Sequence, residues 1–152
     1  MRLSDHLTVD GITTDLSSDS KDGTLRTLAR LIAPSDGELS EEDAYRVLAE
    51  RERLATTGVG SGVAVPHGRA DVDKFSIGLG ICREGCEFGA LDGELTKIFV
   101  AVLAPEGRPA GQLKMLAKIS ELLRQPAVRE RLLAAPDREA ALQVLLDGDS
   151  EG

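Results

Sequence analysis

The segment Ile98-Phe99-Val100-Ala101-Val102-Leu103-Ala104 contains no polar side chain and ends at Pro105. A strand with one face in water alternates apolar and polar residues, so a run without alternation belongs to a strand covered on both faces. This segment therefore calls for helices above and below a sheet. The rest of the chain supplies them. Leu25, Leu28, Ala29 and Ile32 recur at helical spacing, and Pro34 closes that segment. Ser40-Glu41-Glu42-Asp43 reads as a helix start with acids in its first turn, followed by the apolar stripe Ala44, Val47 and Leu48. Beyond the strands, Pro109, Pro126 and Pro136 each suit a first helical position. The helix from Pro109 is expected to carry Leu113, Leu116, Ala117 and Leu123 on one side, and the last helix Ala140, Ala141, Val144 and Leu145. Between the helical blocks lie TGVGSGVAVP (57–66), FSIGLGIC (75–82), in which large apolar and small residues alternate, and the run 98–104. The expected fold class is α/β: a three-layer α/β/α sandwich with a small mixed β-sheet flanked by helices.

The 152 residues suit one domain, placed at 1–147, with 148–152 as a flexible C-terminal tail. Three Phe, one Tyr and no Trp leave the core to aliphatic side chains. Eighteen Lys and Arg against 26 Asp and Glu give a net charge of −8, with no basic run. That excludes nucleic acid, whose phosphates need clustered cations, and anionic membrane surfaces. It favours a basic protein partner. No apolar stretch approaches the roughly 20 residues of a membrane span, so no membrane insertion is expected. The N-terminus lacks a signal-peptide core, which points to the cytoplasm. Cys82 and Cys86 are too few for a disulfide framework and lack a second ligand pair for a metal; they read as reduced thiols.

The chemistry concentrates around VAVPHGR (63–69). The glycines at 58, 60 and 62 stand after a helix and before a strand, the reverse of a dinucleotide fingerprint, and no Gly-Lys-Ser/Thr closes a P-loop. They suit a tight loop with exposed amides that something can approach closely. His67 follows Pro66, where a strand is expected to end or run along an edge, and Gly68 leaves space beside it. Arg51 falls at the i+7 position of the stripe that begins at Ala44, whereas Arg53 falls off it. A guanidinium on that side either snorkels out or meets an anion. Thr56 and Thr57 add hydroxyls. Arginine, hydroxyls and amides around a histidine make a setting for a phosphoryl group, and a neutral imidazole is a nucleophile. No carboxylate cluster for a metal is evident, and no Gly-x-Ser-x-Gly elbow supports a serine hydrolase.

RERLATTGVGSGVAVPHG (51–68) resembles the signature of the type-2, mannitol/fructose-like IIA domains of the bacterial phosphotransferase system, and its wording is most similar to the nitrogen-regulatory branch. The turn FGALDG (88–93), the strand 98–105 and the helix from Pro109 follow in the family's order. The resemblance implies a phosphotransferase component with a phosphohistidine intermediate and no cofactor or metal. It places the phosphorylated histidine at His67, the active-site arginine at Arg51 and a hydroxyl at Thr57. The implied donor is an HPr-like phosphocarrier protein, and the downstream partner is a IIB domain or a regulatory target protein. Many relatives carry a second histidine where this chain has Gln112, on a stripe with Leu116, Ile119 and Leu123. An amide donates a hydrogen bond but carries no charge, so weaker stabilisation or slower transfer follows. No IIB or membrane module is visible, which favours nitrogen-type regulation. A fructose/mannitol-type IIA component of sugar uptake and a non-cycling interaction module with the same fold are the alternatives.

Overall fold

A computed structural model describes residues 2–149. Two short 3-10 turns, Leu3–Asp5 and Val9–Gly11, lead into β1 (Ile12–Thr13), α1 (Lys21–Ile32), α2 (Glu41–Leu54), β2 (Gly58–Gly60), β3 (Val63–Ala64), β4 (His67–Ala70), β5 (Ser76–Cys86), β6 (Thr96–Pro105), α3 (Pro109–Leu123), α4 (Pro126–Ala134) and α5 (Arg138–Gly148). The strands form one six-stranded mixed sheet in the order β1-β5-β6-β3-β2, with β4 also paired to β6. β6 runs antiparallel to β5 and parallel to β3 and β4.

The apolar run 98–104 lies at the centre and divides its side chains between two cores. Ile98, Val100, Val102 and Ala104 join Met115, Ile119 and Leu122 of α3, Leu132 of α4 and Val144 of α5. Phe99, Ala101 and Leu103 face the other way, onto Leu25, Leu28 and Ile32 of α1 and Ala44 and Leu48 of α2. The alternation in β5 serves the same division. Ile77, Leu79 and Ile81 enter the first core, while the bare faces of Gly78 and Gly80 let α1 close down: a Cβ at Gly80 would stand 2.7 Å from Leu16 and 3.3 Å from Leu28. The layered α/β/α arrangement is the expected one.

Local detail departs from expectation in several places. Ser20 and Ser40 accept from the amides three residues on and start α1 and α2. Pro109 and Pro126 occupy first-turn positions, but Pro136 does not: Asp137 caps α5 by accepting from the Ala140 amide, and the side-chain cap sets the start two residues later than proline would. The buried face of α3 is Met115, Ile119, Leu122 and Leu123, whereas Leu113 and Ala117 are exposed. The helix is apolar over much of its circumference, so spacing alone fixes its face poorly. α5 continues through Gly148, and the Asp149 carboxylate accepts from the Leu3 amide and pairs with Lys118 Nζ at 2.7 Å. Residues 150–152 lie outside the described residues. Cys82 and Cys86 are free and buried; a break in register between Ile81 and Cys86 brings their sulfurs to 2.7 Å, and burial pushes the Cys86 thiol up to about 12.

Candidate phosphoryl-transfer site

β3 stops at Ala64, before Val65 and Pro66, and β4 begins at His67 beside the same strand. Val63 faces Ile98 and Ala64 faces Phe99; His67 faces Val102 and Gly68 faces Leu103, so β4 continues β3 in the same register along β6. Proline withholds a donor, yet its carbonyl still accepts from the Val102 amide, so the chain stays on β6 through the break. β2 covers only β3, which leaves β4 at an edge. Strand alternation sends His67 and Arg69 toward α3, and Gly68 and Ala70 toward α2.

At this edge the two helical layers meet around a hollow of about 930 Å³. α2 contributes Val47, Glu50, Arg51 and Leu54; β4 contributes His67, Gly68 and Arg69; α3 contributes Gln112, Leu113 and Leu116. Gly68 makes this convergence possible. A Cβ there would stand 2.3 Å from Val47 Cγ1 and 3.3 Å from the Val47 carbonyl oxygen. Its bare backbone therefore lets α2 lie against β4, and Arg51, one turn beyond Val47, reaches the hollow that holds His67. The space expected around the imidazole is in fact filled by this helix.

His67 is partly buried, and its Nδ1 lies 2.7 Å from the Val65 carbonyl oxygen. A carbonyl only accepts, so Nδ1 carries the proton and Nε2 keeps its lone pair. Burial holds the imidazole below its ordinary value, and the Arg51 charge acts in the same direction. The Val65 carbonyl and the Glu52 charge oppose them. The ring is accordingly neutral at pH 7, with a nucleophilic nitrogen available. Arg51 donates from Nη1 to the Ala55 carbonyl at 2.8 Å, which uses one of its five N–H groups and leaves the others available.

The sequence-expected residues thus divide. Arg51, His67 and Gln112 line one hollow. Thr57 does not: it is buried, and its hydroxyl donates to Glu52 Oε1 at 2.6 Å. The glycine segment is also displaced from the site. Gly58–Gly60 and Val63–Ala64 form a hairpin whose turn residues, Ser61 and Gly62, both have positive φ, as a tight primed turn requires. The segment approaching these glycines is the turn after Phe88; a Cβ at Gly58 would touch Ala90 and one at Gly60 would touch Asp92. The Ser61 amide donates to Asp92 and the Gly58 amide to Thr56 Oγ1. Sequence reasoning passed over Glu52 and Lys21, although Glu52 continues the ridge Ala44–Leu48 by one more step of four. It also passed over Arg69, which shares the His67 face of β4.

The pattern of the phosphoenolpyruvate-dependent sugar phosphotransferase system EIIA 2 family matches residues 5–148. A "Nitrogen regulatory protein" of Bradyrhizobium diazoefficiens is 36% identical over 146 residues, 95% of this chain and 95% of the relative. The crystal structure of nitrogen regulatory protein IIA-Ntr from Neisseria meningitidis has a TM-score of 0.88 at 29% identity, covering 94% of this chain and 98% of that one. Enzyme IIA-mannitol of Escherichia coli, solved in complex with phosphorylated enzyme IIB-mannitol, has a TM-score of 0.78 at 21% identity over 93% of this chain and 97% of that one. The fold, the matched span and the identity to these relatives agree: the chain belongs to the EIIA type-2 family of the phosphoenolpyruvate-dependent sugar phosphotransferase system.

Proposed function

We propose that the chain is a histidine phosphocarrier that accepts phosphate on His67 from an HPr-like donor and acts as a nitrogen-type regulatory IIA protein. One observation carries the reading: the Nδ1–H bond to the Val65 carbonyl leaves Nε2 as the free nucleophile in a hollow that also holds Arg51. In the transfer, the Nε2 lone pair forms a bond to phosphorus. The donor's P–N bond breaks, and its electron pair returns to the donor's ring nitrogen. The His67 ring gains positive character as Nε2 is substituted, and the Val65 carbonyl stabilises the Nδ1–H that shares it. Arg51 supplies charge-assisted hydrogen bonds to the phosphoryl oxygens, and the Gln112 amide supplies a neutral one. Thr57 serves this site through Glu52 and not by touching phosphate.

A protein partner is favoured by the surroundings of the hollow. Leu54 is 81% exposed and Leu113 71% exposed, and both line the hollow that holds His67. Such apolar groups beside a reacting centre suit a protein partner, whether donor, IIB domain or regulatory target. The nitrogen-regulatory relatives incline the reading to the regulatory target. Gln112 gives the non-cycling interaction module its one supporting observation, since a neutral amide holds a dianion less firmly than a charged ring. Incubation with phosphoenolpyruvate, enzyme I and HPr, followed by intact mass, separates the two. The carrier gains one acid-labile phosphate, and His67→Ala gains none. A wild-type chain that takes up no phosphate would refute the carrier reading.

A further inference from the structure

Glu52 is a charged residue in the interior, its side chain only 4% exposed. Burying a carboxylate costs free energy unless it is paired and fully hydrogen-bonded, and an apolar residue in its place is often neutral or stabilising. Its presence therefore asks for a use. Lys21 Nζ, from the first turn of α1, sits 2.8 Å from Glu52 Oε2. The same oxygen accepts from the Thr57 amide at 2.9 Å, while Oε1 accepts from the Thr57 hydroxyl at 2.6 Å. Both carboxylate oxygens are thus committed to the chain that leaves α2.

Glu52 does not line the hollow, but its neighbour Arg51 does. Arg51 grips the carbonyl of Ala55, which lies between the two ends of the Glu52–Thr57 clamp. Fixing Thr57 to Glu52 fixes the path of residues 55–57, and with it the oxygen on which the guanidinium is hung. Lys21 supplies the opposite charge that a buried carboxylate needs, 2.8 Å from Oε2. The geometry points to Lys21 and Glu52 as positioning residues of the site, acting through Thr57 and the Ala55 carbonyl to set where Arg51 is held; their effect on phosphoryl transfer rests on His67 being the acceptor.

The test is a pair of double-mutant comparisons read by the rate of phosphoryl uptake from HPr. Misplacing a catalytic group by about 1 Å costs on the order of 10²-fold, and a loosened clamp with its packing intact is expected to cost about tenfold. Lys21→Met and Glu52→Gln should each slow uptake by that factor, and Lys21→Arg should restore it. In an Arg51→Ala background neither should slow uptake further. Equal slowing in both backgrounds would overturn the inference, because it would show an effect that does not pass through Arg51. Glu52→Gln keeps the shape and an acceptor for the Thr57 amide, so it serves if Lys21→Met does not fold. A second readout needs no phosphate: the Arg51 Nε–Hε signal in the unphosphorylated protein should move toward that of a free side chain in Lys21→Met. An unchanged signal would overturn the clamp. A wild-type chain that takes up no phosphate would refute the carrier reading and leave this second measurement to decide the clamp.

Discussion

Gly68→Ala is the sharpest perturbation of the arrangement by which α2 carries Arg51 to the hollow. The new methyl would lie 2.3 Å from Val47 Cγ1 and 3.3 Å from the Val47 carbonyl oxygen. Rotating Val47 relieves the first contact, but valine in a helix strongly prefers one rotamer, and an off-rotamer side chain costs about 0.5–1.5 kcal/mol. The second contact involves backbone and yields only if α2 retreats by a few tenths of an ångström. Overpacking of this kind costs about 1–3 kcal/mol, reduced by the roughly 0.4–1 kcal/mol that alanine returns through the unfolded chain. A net loss of about 1–2 kcal/mol lowers Tm by about 2–4 °C per kcal/mol in a chain of this size. The functional loss should be larger in proportion, because Arg51 rides on the displaced helix. Phosphoryl uptake from HPr, followed by intact mass, is expected to slow about tenfold. Val47→Ala removes Cγ1, and in the double variant it should recover most of the lost rate. Wild-type uptake in Gly68→Ala, or a double variant no faster than the single, would refute the idea that this glycine sets the helix-to-strand distance.

Four further outcomes follow from the same structure. His67 lies below its ordinary value, so the reactive neutral ring persists at pH 7, and uptake should fall only at a midpoint under the ordinary ~6.5. Arg51→Ala removes a charge that lowers that midpoint, so an NMR titration of the imidazole should move upward; a downward or absent shift would contradict the electrostatic account. Gln112→His introduces a group that is cationic in acid, so phospho-His67 should hydrolyse more slowly than wild type below about pH 6.5 and at the same rate near pH 8. Identical lifetimes at both pH values would remove Gln112 from the site. Phe99→Ala empties the second core beside Phe88, whose ring centroid lies 5.1 Å away, and should cost about 3–5 kcal/mol in urea unfolding while leaving the His67 titration in place.

What could be read from the sequence was what local spacing determines. The unbroken run 98–104 announced two cores, and the alternation at 75–82 announced a face on which a helix presses closely, because burial periodicity survives into the fold unchanged. Serine caps and two of the three prolines marked helix starts for the same local reason. Pro136 misled because Asp137 competes for the same start. β1 and the two 3-10 turns are too short to have a period. The course of β4 was hidden because it depends on β6, some thirty-five positions away, holding the chain through Pro66. Arg51 was legible as a cation on an apolar stripe. Thr57 was legible as a hydroxyl near the site, but not its orientation, which a buried carboxylate and a lysine from α1 determine. The glycines signalled close approach, and the neighbour that approaches them is the turn after Phe88.

The common register of 63–64 and 67–68 along β6 makes Val65–Pro66 a spacer whose length cannot drift. One residue added or removed there would keep the sheet but rotate everything downstream by half a period, delivering the imidazole to the α2 side and a side chain's bulk to Gly68's place. Length changes at the Ser61–Gly62 turn are exempt, since they lie upstream of the phase. Loop grafting and tag insertion in this chain should therefore treat those two adjacent stretches differently: a change in the first leaves the phase of the histidine alone, whereas the second is a fixed tooth.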